Sequence, residues 1–375
     1  MIIPVSNPVE QTIIFIIFFV IALPVSIRRR SEIGELTSRT TMELKGLAIF
    51  GVIFAHIGYQ LVSDDRFMFP LSIAGGILLN TFLFISGYGL TMSGLSKSLN
   101  PLSFYRRRLS KLVIPLWVTL GLFFILDYLV LDRAYSLGTI IQAFLGLFPR
   151  ADILLDVNSP LWFITFILAY YALFPLVFMR KYVWLSAIAL FAIFYTTIQL
   201  EPKYLTDVLR LYRTYTVAFP FGMMIAWLVT QYQPKQLVQT WIKQKNISKN
   251  IVRVLYVLLL IALTAIAAYT TYDSGVNDAP WWEQLTSLFT MSVIILLFTL
   301  KNFEFKLLSL FGIVSFEIYL LHWPLMSRYP GFAATWWVTF LWLVALLGLG
   351  WLLKQISTVG GRARLPKVNN TIDTQ

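Results

Sequence analysis

KGLAIFGVIFAH, residues 45–56, lies within an apolar run over 44–62 that carries a cation, Lys45, near its start and one imidazole, His56, deep inside it. A run of about 17 to 25 apolar residues is what an α-helix needs to cross the hydrocarbon of a bilayer. Similar runs recur at 12–27, 71–93, 112–131, 161–179, 182–200, 214–232, 251–271, 285–300, 307–326 and 334–353, with only short connectors between them. Composition agrees: 58% of residues are hydrophobic and 13% charged, against about 25% charged in soluble domains. The chain reads as all-α, a polytopic transmembrane helix bundle forming one integral membrane domain.

The net charge of +12 could point to nucleic acid, but the basic residues fall in alternate connectors instead of on one soluble face. Threading the spans alternately through a membrane puts 23 of the 30 Lys and Arg residues on one side, in 28–45, 97–111, 180–181, 235–253, 301–306 and 354–367. The opposite connectors collect most acids, among them Asp64, Asp65, Asp152, Asp156, Asp273, Asp278 and Glu283. By the positive-inside rule the richer side and the C-terminus are cytoplasmic. The first run, Thr12–Ile27, has no basic residue before it and Arg28, Arg29 and Arg30 directly after it. It reads as an uncleaved span with its N-terminus outside. In the connector 132–160, the apolar stretch Leu137–Phe148 is too short to span; an interfacial helix and a re-entrant segment both remain open. Cysteine is absent, which excludes disulfides, thiolate metal sites and a cysteine nucleophile, and leaves the redox compartment undetermined.

Both histidines, His56 and His322, lie in apolar spans, where an ionisable residue is a functional hypothesis by default. Eleven positions separate Lys45 from His56, so on a helix the two side chains project within about 20° of each other and about 16 Å apart along the axis. That spacing suits two stations on one path. A snorkelling lysine and a packed histidine are the plain alternative. A lone imidazole at neutral pH can abstract a proton from a hydroxyl or relay one. The two histidines fall short of a metal-ligand set, so no metal is expected.

Three further segments hold candidates. NTFLFISGYGL places Asn80, Ser86 and Tyr88 at lipid depth beside glycines that also suit helix packing. Arg106, Arg107, Arg108 and Lys111 cluster before the next span; Arg108 and Lys111 share a helix face and could clamp phosphate, or the cluster could simply anchor orientation. In SFEIYLLHWPL, Ser315, Tyr319 and His322 fall within about 60° of one another, with Glu317 nearly opposite. Glu317 is therefore expected to pair with another helix and not to orient His322.

Taken in order, Lys45 with His56, FLFISGYGL at 82–90, Arg108-x-x-Lys111 before IPLW, SPLWFITFILAYY at 159–171 and SFEIYLLHWP at 315–324 resemble the membrane acyltransferase 3 family of bacterial O-acyltransferases, in particular its sugar O-acetylase branch. The resemblance covers about 40–355. It implies a ten-helix acyltransferase core over 31–355, with 1–30 an extra N-terminal span and 356–375 a cytoplasmic tail. It implies an acyl-CoA co-substrate, usually acetyl-CoA, with no permanently bound cofactor. The acceptor would be a hydroxyl of a cell-envelope glycan or lipid-linked saccharide, and the site the cytoplasmic membrane of a bacterium. His56 would be the catalytic base. Lys45, Arg107, Arg108 and Lys111 would bind the donor, and Asn80, Ser86, Tyr88, Trp162, Ser315, Glu317, Tyr319 and His322 would be candidates for the pocket. Two departures stand out. Lys111 replaces a frequent second arginine, and ITFIL after Trp162 lacks the glutamate of some members, leaving the partner of His56 open. No nucleic-acid partner is expected, and self-association is left open. A transporter or flippase of a lipid-linked saccharide is the competing class; it predicts inverted repeats or paired broken helices, and neither is evident.

Overall fold

A computed structural model describes residues 2–30, 33–151, 158–273, 280–329 and 331–362. Asp152, Asp156, Asp278 and the segment 363–375 lie outside the described residues. The helices are α1 Pro8–Val25, α2 Ser38–His56, α3 Gly75–Ser96, α4 Pro101–Leu131, α5 Leu137–Phe144, α6 Trp162–Val177, α7 Val183–Gln199, α8 Leu209–Tyr215, α9 Ala218–Tyr232, α10 Pro234–Gln244, α11 Lys249–Asp273, α12 Pro280–Leu300, α13 Lys306–Ile313, α14 Ser315–Ser327 and α15 Trp336–Arg362. The last helix runs past 356, where the tail was expected to start.

Every apolar run found in the sequence is helical, yet they are not eleven simple spans. Eight described helices are long and apolar enough to cross a membrane alone, and nine if a bent pair counts as one. That pair is α13 and α14, which meet at 77° within what reads as one span at 307–326. The bend frees carbonyl groups that a continuous helix would have paired. One of them, on Ile313, accepts a hydrogen bond from Lys354 Nζ at 2.6 Å, a cation from α15 capping the negative end of α13. The run at 214–232 is likewise broken, α8 ending at Tyr215 and α9 starting at Ala218. The stretch at 137–148 forms the short α5, and its last turn accepts a hydrogen bond from Trp117 of α4 at 2.7 Å.

Helix α2 is the hub, with most of its length buried against α3, α13 and α14. Its contacts depend on glycine. A Cβ on Gly46 would stand 1.9 Å from the Leu308 carbonyl, and one on Gly312 1.8 Å from that of Met42. Helices α3 and α9 cross in the same way: a Cβ on Gly87 would meet the Phe219 carbonyl at 2.1 Å, and one on Gly222 that of Phe84 at 2.3 Å. Lipid offers no hydrophobic force between helices, so such close backbone approach and the dispersion it yields hold the bundle. Gly87 of the FISGYGL segment thus packs, whereas a Cβ on Gly89 would meet open space.

The first thirty residues are tied into this core. Phe15 and Phe19 of α1 lie edge-on to Phe54 and Phe50 of α2. Strand β1 (Ile27–Arg29) pairs antiparallel with β2 (Phe303–Phe305). Arg30, 3% exposed, donates to Thr40 Oγ1 and to the carbonyls of Phe298 and Thr299 at the C-terminal end of α12, where a cation is favoured. Beside it Lys301 and Glu43 form a buried ion pair of 2.5 Å.

Beyond the His322 end of α14 a second polar knot ties α4 to α14. The fully buried Asp127 carboxylate accepts from Tyr135 and Tyr329, both at 2.6 Å, and from Arg328. Burial, together with the bond to Asp127, pushes the Tyr135 hydroxyl up to about 12.

Candidate functional site

His56 stands at the last position of α2, where the helix widens directly into a π-helical turn, Ile57–Leu61. Turns of this kind often mark functional positions because they redirect side chains out of the regular ladder. Its Nδ1 lies 2.8 Å from Nε2 of His322 on α14. The two rings are 5.0 Å apart, and the neighbouring Trp323 ring is 5.3 Å from His56. His322 is fully buried, with Nδ1 2.8 Å from the Tyr319 carbonyl, while His56 keeps part of its surface exposed.

Helix α14 is held at this point by the SPLW segment. Asn158 Nδ2 donates to the Leu320 carbonyl at 3.0 Å, and the Tyr319 hydroxyl donates to the Pro160 carbonyl. The Phe163 and Tyr319 rings meet edge-on at 5.8 Å. The SPLW motif therefore braces the histidine helix, a function invisible in its own composition.

Toward the start of α2, Lys45 is electrostatically coupled to Arg108, Lys354 and Lys111, and to one carboxylate, Glu317. Glu317 in turn is coupled to Lys354 and Lys45. Lys45 thus lies among three further cations from α4 and α15, with Glu317 the one acid beside it and Lys354 among the described residues, and such an excess of positive charge suits a polyanion. The structure brings together Lys45, Arg108 and Lys111 from the sequence-derived donor set and adds Lys354, which sequence reasoning missed. Lys354 entered that reasoning only as a C-terminal orientation charge, and nothing in its surroundings, WLLKQIS, tells it from one. Arg107 is not brought to the cluster: it is exposed, and its Nε bonds the Ser103 carbonyl one turn back on its own helix at 3.0 Å. Glu317 faces the cations and His322 bonds backbone, in keeping with their opposite positions on the helical wheel.

The other candidates scatter. Asn80 is buried and donates to Ser287 Oγ of α12 at 2.8 Å. Ser86 accepts weakly from the Tyr171 hydroxyl at 3.4 Å. Tyr88 stacks on Phe84, and Trp162 stacks on Tyr215. Ser315 donates to the Gly312 carbonyl at 3.1 Å and so serves the bend. Among the described residues no group of three or more His, Cys, Asp or Glu side chains is placed to hold a metal ion.

Chemically, the arrangement offers a partly exposed imidazole in apolar surroundings at one end of α2 and a group of cations toward the other. Comparison with family models matches one, described as an acyltransferase domain, over residues 44–355. Neither the curated proteins nor the solved structures compared give a match.

Proposed function

The chain belongs to the acyltransferase 3 family and is a multi-pass membrane acyltransferase; from that premise we propose that it carries an acyl group, acetyl in the simplest case, from cytoplasmic acyl-CoA to a hydroxyl of a cell-envelope or exported glycan. The observation that carries this reading is that α2 holds His56 at one end and, toward the other, Lys45 beside Arg108, Lys111 and Lys354 of neighbouring helices. Lys45 and His56 are eleven residues apart, about 16 Å at 1.5 Å per residue, a span that an extended pantetheine arm covers.

In this reading the phosphates of acyl-CoA dock among Lys45, Arg108, Lys111 and Lys354, where guanidinium and ammonium groups supply charge-assisted hydrogen bonds. The thioester then lies near His56. The acceptor hydroxyl gives its proton to the imidazole as its oxygen bonds to the thioester carbonyl carbon. The carbon–sulfur bond breaks, and the leaving thiolate takes the proton back from the imidazolium, so that ester and free CoA thiol are the products and His56 is regenerated. The charge asymmetry of the connectors supports placing the cation cluster on the cytoplasmic side of a bacterial membrane, where acyl-CoA is made.

The test is acetyl transfer from radiolabelled acetyl-CoA to a panel of envelope polysaccharides by the purified chain. His56→Ala, with its thermal stability unchanged, is expected to abolish transfer; full retained activity overturns the assignment. Because the protein has no cysteine, a thiol reagent reports released CoA without background. Thermal stabilisation by CoA alone separates this reading from a flippase, which has no reason to bind it.

A further inference from the structure

We propose that His322 is a positioning residue: it holds His56 in the Nδ1–H tautomer, leaving the His56 Nε2 lone pair as the proton acceptor of the acyl-transfer reaction. The inference rests on the reading of His56 as the base, and it supplies the partner that the acid-free ITFIL segment left open.

Donor and acceptor capacity fixes the tautomer of each ring. Among the described residues His322 Nδ1 faces only carbonyl oxygens, that of Tyr319 at 2.8 Å and that of Ile318 at 3.3 Å. A carbonyl can only accept, so Nδ1 carries the hydrogen. In a neutral imidazole the other nitrogen is then an acceptor. That nitrogen, Nε2, lies 2.8 Å from His56 Nδ1, which must therefore donate. Nε2 of His56 is left without a hydrogen. Two backbone carbonyls thus set, through two rings in series, which nitrogen of His56 is basic. A free imidazole prefers the opposite tautomer, so the preference is imposed by the fold.

The rigidity needed is present. His322 is 0% exposed, and the bonds at Tyr319 and Leu320 fix α14 in the turn just before it. Among the described residues no carboxylate is hydrogen-bonded to either ring: His56 Nδ1 meets His322 Nε2, and His322 Nδ1 meets the Tyr319 and Ile318 carbonyls. Tyr319 is, among the described residues, the other titratable side chain facing His322, 5.9 Å between ring centroids, and its hydroxyl is committed to the Pro160 carbonyl. A neutral partner can orient the base without neutralising the imidazolium it becomes. The imidazolium is therefore best short-lived, its proton passing on to the departing thiolate.

The experiment uses the full chain in nanodiscs with 15N-labelled histidine, which gives only two imidazole spin systems. Both rings are expected as Nδ1–H tautomers in the wild type. In His322→Leu the His56 ring is expected to revert to Nε2–H, and kcat for acetyl transfer to fall by about 10²- to 10⁴-fold, the scale of a misplaced catalytic tautomer, with KM for acetyl-CoA unchanged. His322→Gln, whose Oε1 reaches the position of the lost Nε2, is expected to recover most of that loss and the Nδ1–H signal. Wild-type His56 found as Nε2–H, or His322→Leu with wild-type kcat, overturns the inference, and so does a glutamine variant no better than leucine. Should His56→Ala itself retain activity, the base assignment fails instead. The NMR tautomer is read without turnover, so the two failures are distinguishable.

Discussion

Gly46 and Gly312 face each other where α2 crosses α13, so closely that a Cβ on Gly312 would come within 3.1 Å of the Gly46 amide nitrogen as well as 1.8 Å from the Met42 carbonyl. Neither position has room for a side chain. On one side α2 carries His56, and on the other the α13–α14 bend presents His322, so this crossing sets the register of the histidine pair.

Gly46→Ala or Gly312→Ala is expected to destabilise the protein by at least the roughly 1 to 3 kcal/mol typical of overpacking and to lower activity by moving the two histidines apart. Gly89→Ala, where a Cβ meets nothing within 4 Å, is expected to fall within about 0.5 kcal/mol of wild type. Thermal unfolding in nanodiscs, measured alongside acetyl transfer, checks both. Equal effects at Gly46 and Gly89 contradict the packing argument.

The cation cluster predicts a graded loss of donor affinity. Arg108→Gln and Lys111→Gln each remove one charge from the group around Lys45. A hydrogen bond to a charged group is worth about 1.5 to 3 kcal/mol, so each is expected to raise KM for acetyl-CoA about tenfold or more, with a smaller change in kcat. Arg107→Gln, which loses a bond to its own helix, is expected to change KM little. Steady-state kinetics at fixed ionic strength decides.

The Glu43–Lys301 pair is 0% and 3% exposed, and Glu43 also accepts from the Phe305 amide at 2.6 Å. Breaking such a pair strands a buried charge. Lys301→Met is expected to cost about 3 to 5 kcal/mol, and the double variant with Glu43→Gln less than the sum of the single changes. A double-mutant cycle by denaturant titration measures the difference; simple additivity counts against a direct pairing.

Alkaline stability should report on the Asp127 knot. The hydroxyl of Tyr135 sits at about 12 in the folded protein against about 10 for a free tyrosine. A folded value raised above the unfolded one means that the protonated form stabilises the fold. The contribution is complete below about pH 10 and disappears as pH rises through about 12. Between those values the thermal midpoint of the wild type is expected to fall more steeply than that of Tyr135→Phe. The phenylalanine variant should begin about 1 kcal/mol lower at neutral pH, having lost one hydrogen bond.

Much of this architecture was legible in the chain itself because bilayers impose local rules. Each apolar run had to be long enough for the hydrocarbon and had to satisfy its own backbone, which only helices do without a closed barrel. The wheel positions of Lys45 and His56, and the opposition of Glu317 to His322, needed no more than helical period. The bend between Ile313 and Ser315 was not legible, since a span and a broken span have the same composition. It stands because Lys354, 41 residues away, supplies the hydrogen bond that the freed Ile313 carbonyl requires.

The sequence by itself determined that this is a helical membrane bundle, which end of each span carries the cations, and that two histidines lie in apolar surroundings. Only the tertiary structure decided that those histidines, 266 positions apart, meet at 2.8 Å, that Lys354 joins the cation cluster and that Arg107 turns away from it. Periodicity reports which face of a helix a residue occupies, whereas the partner across that face is chosen by where glycines let two backbones approach, and that contact leaves no periodic trace in either segment.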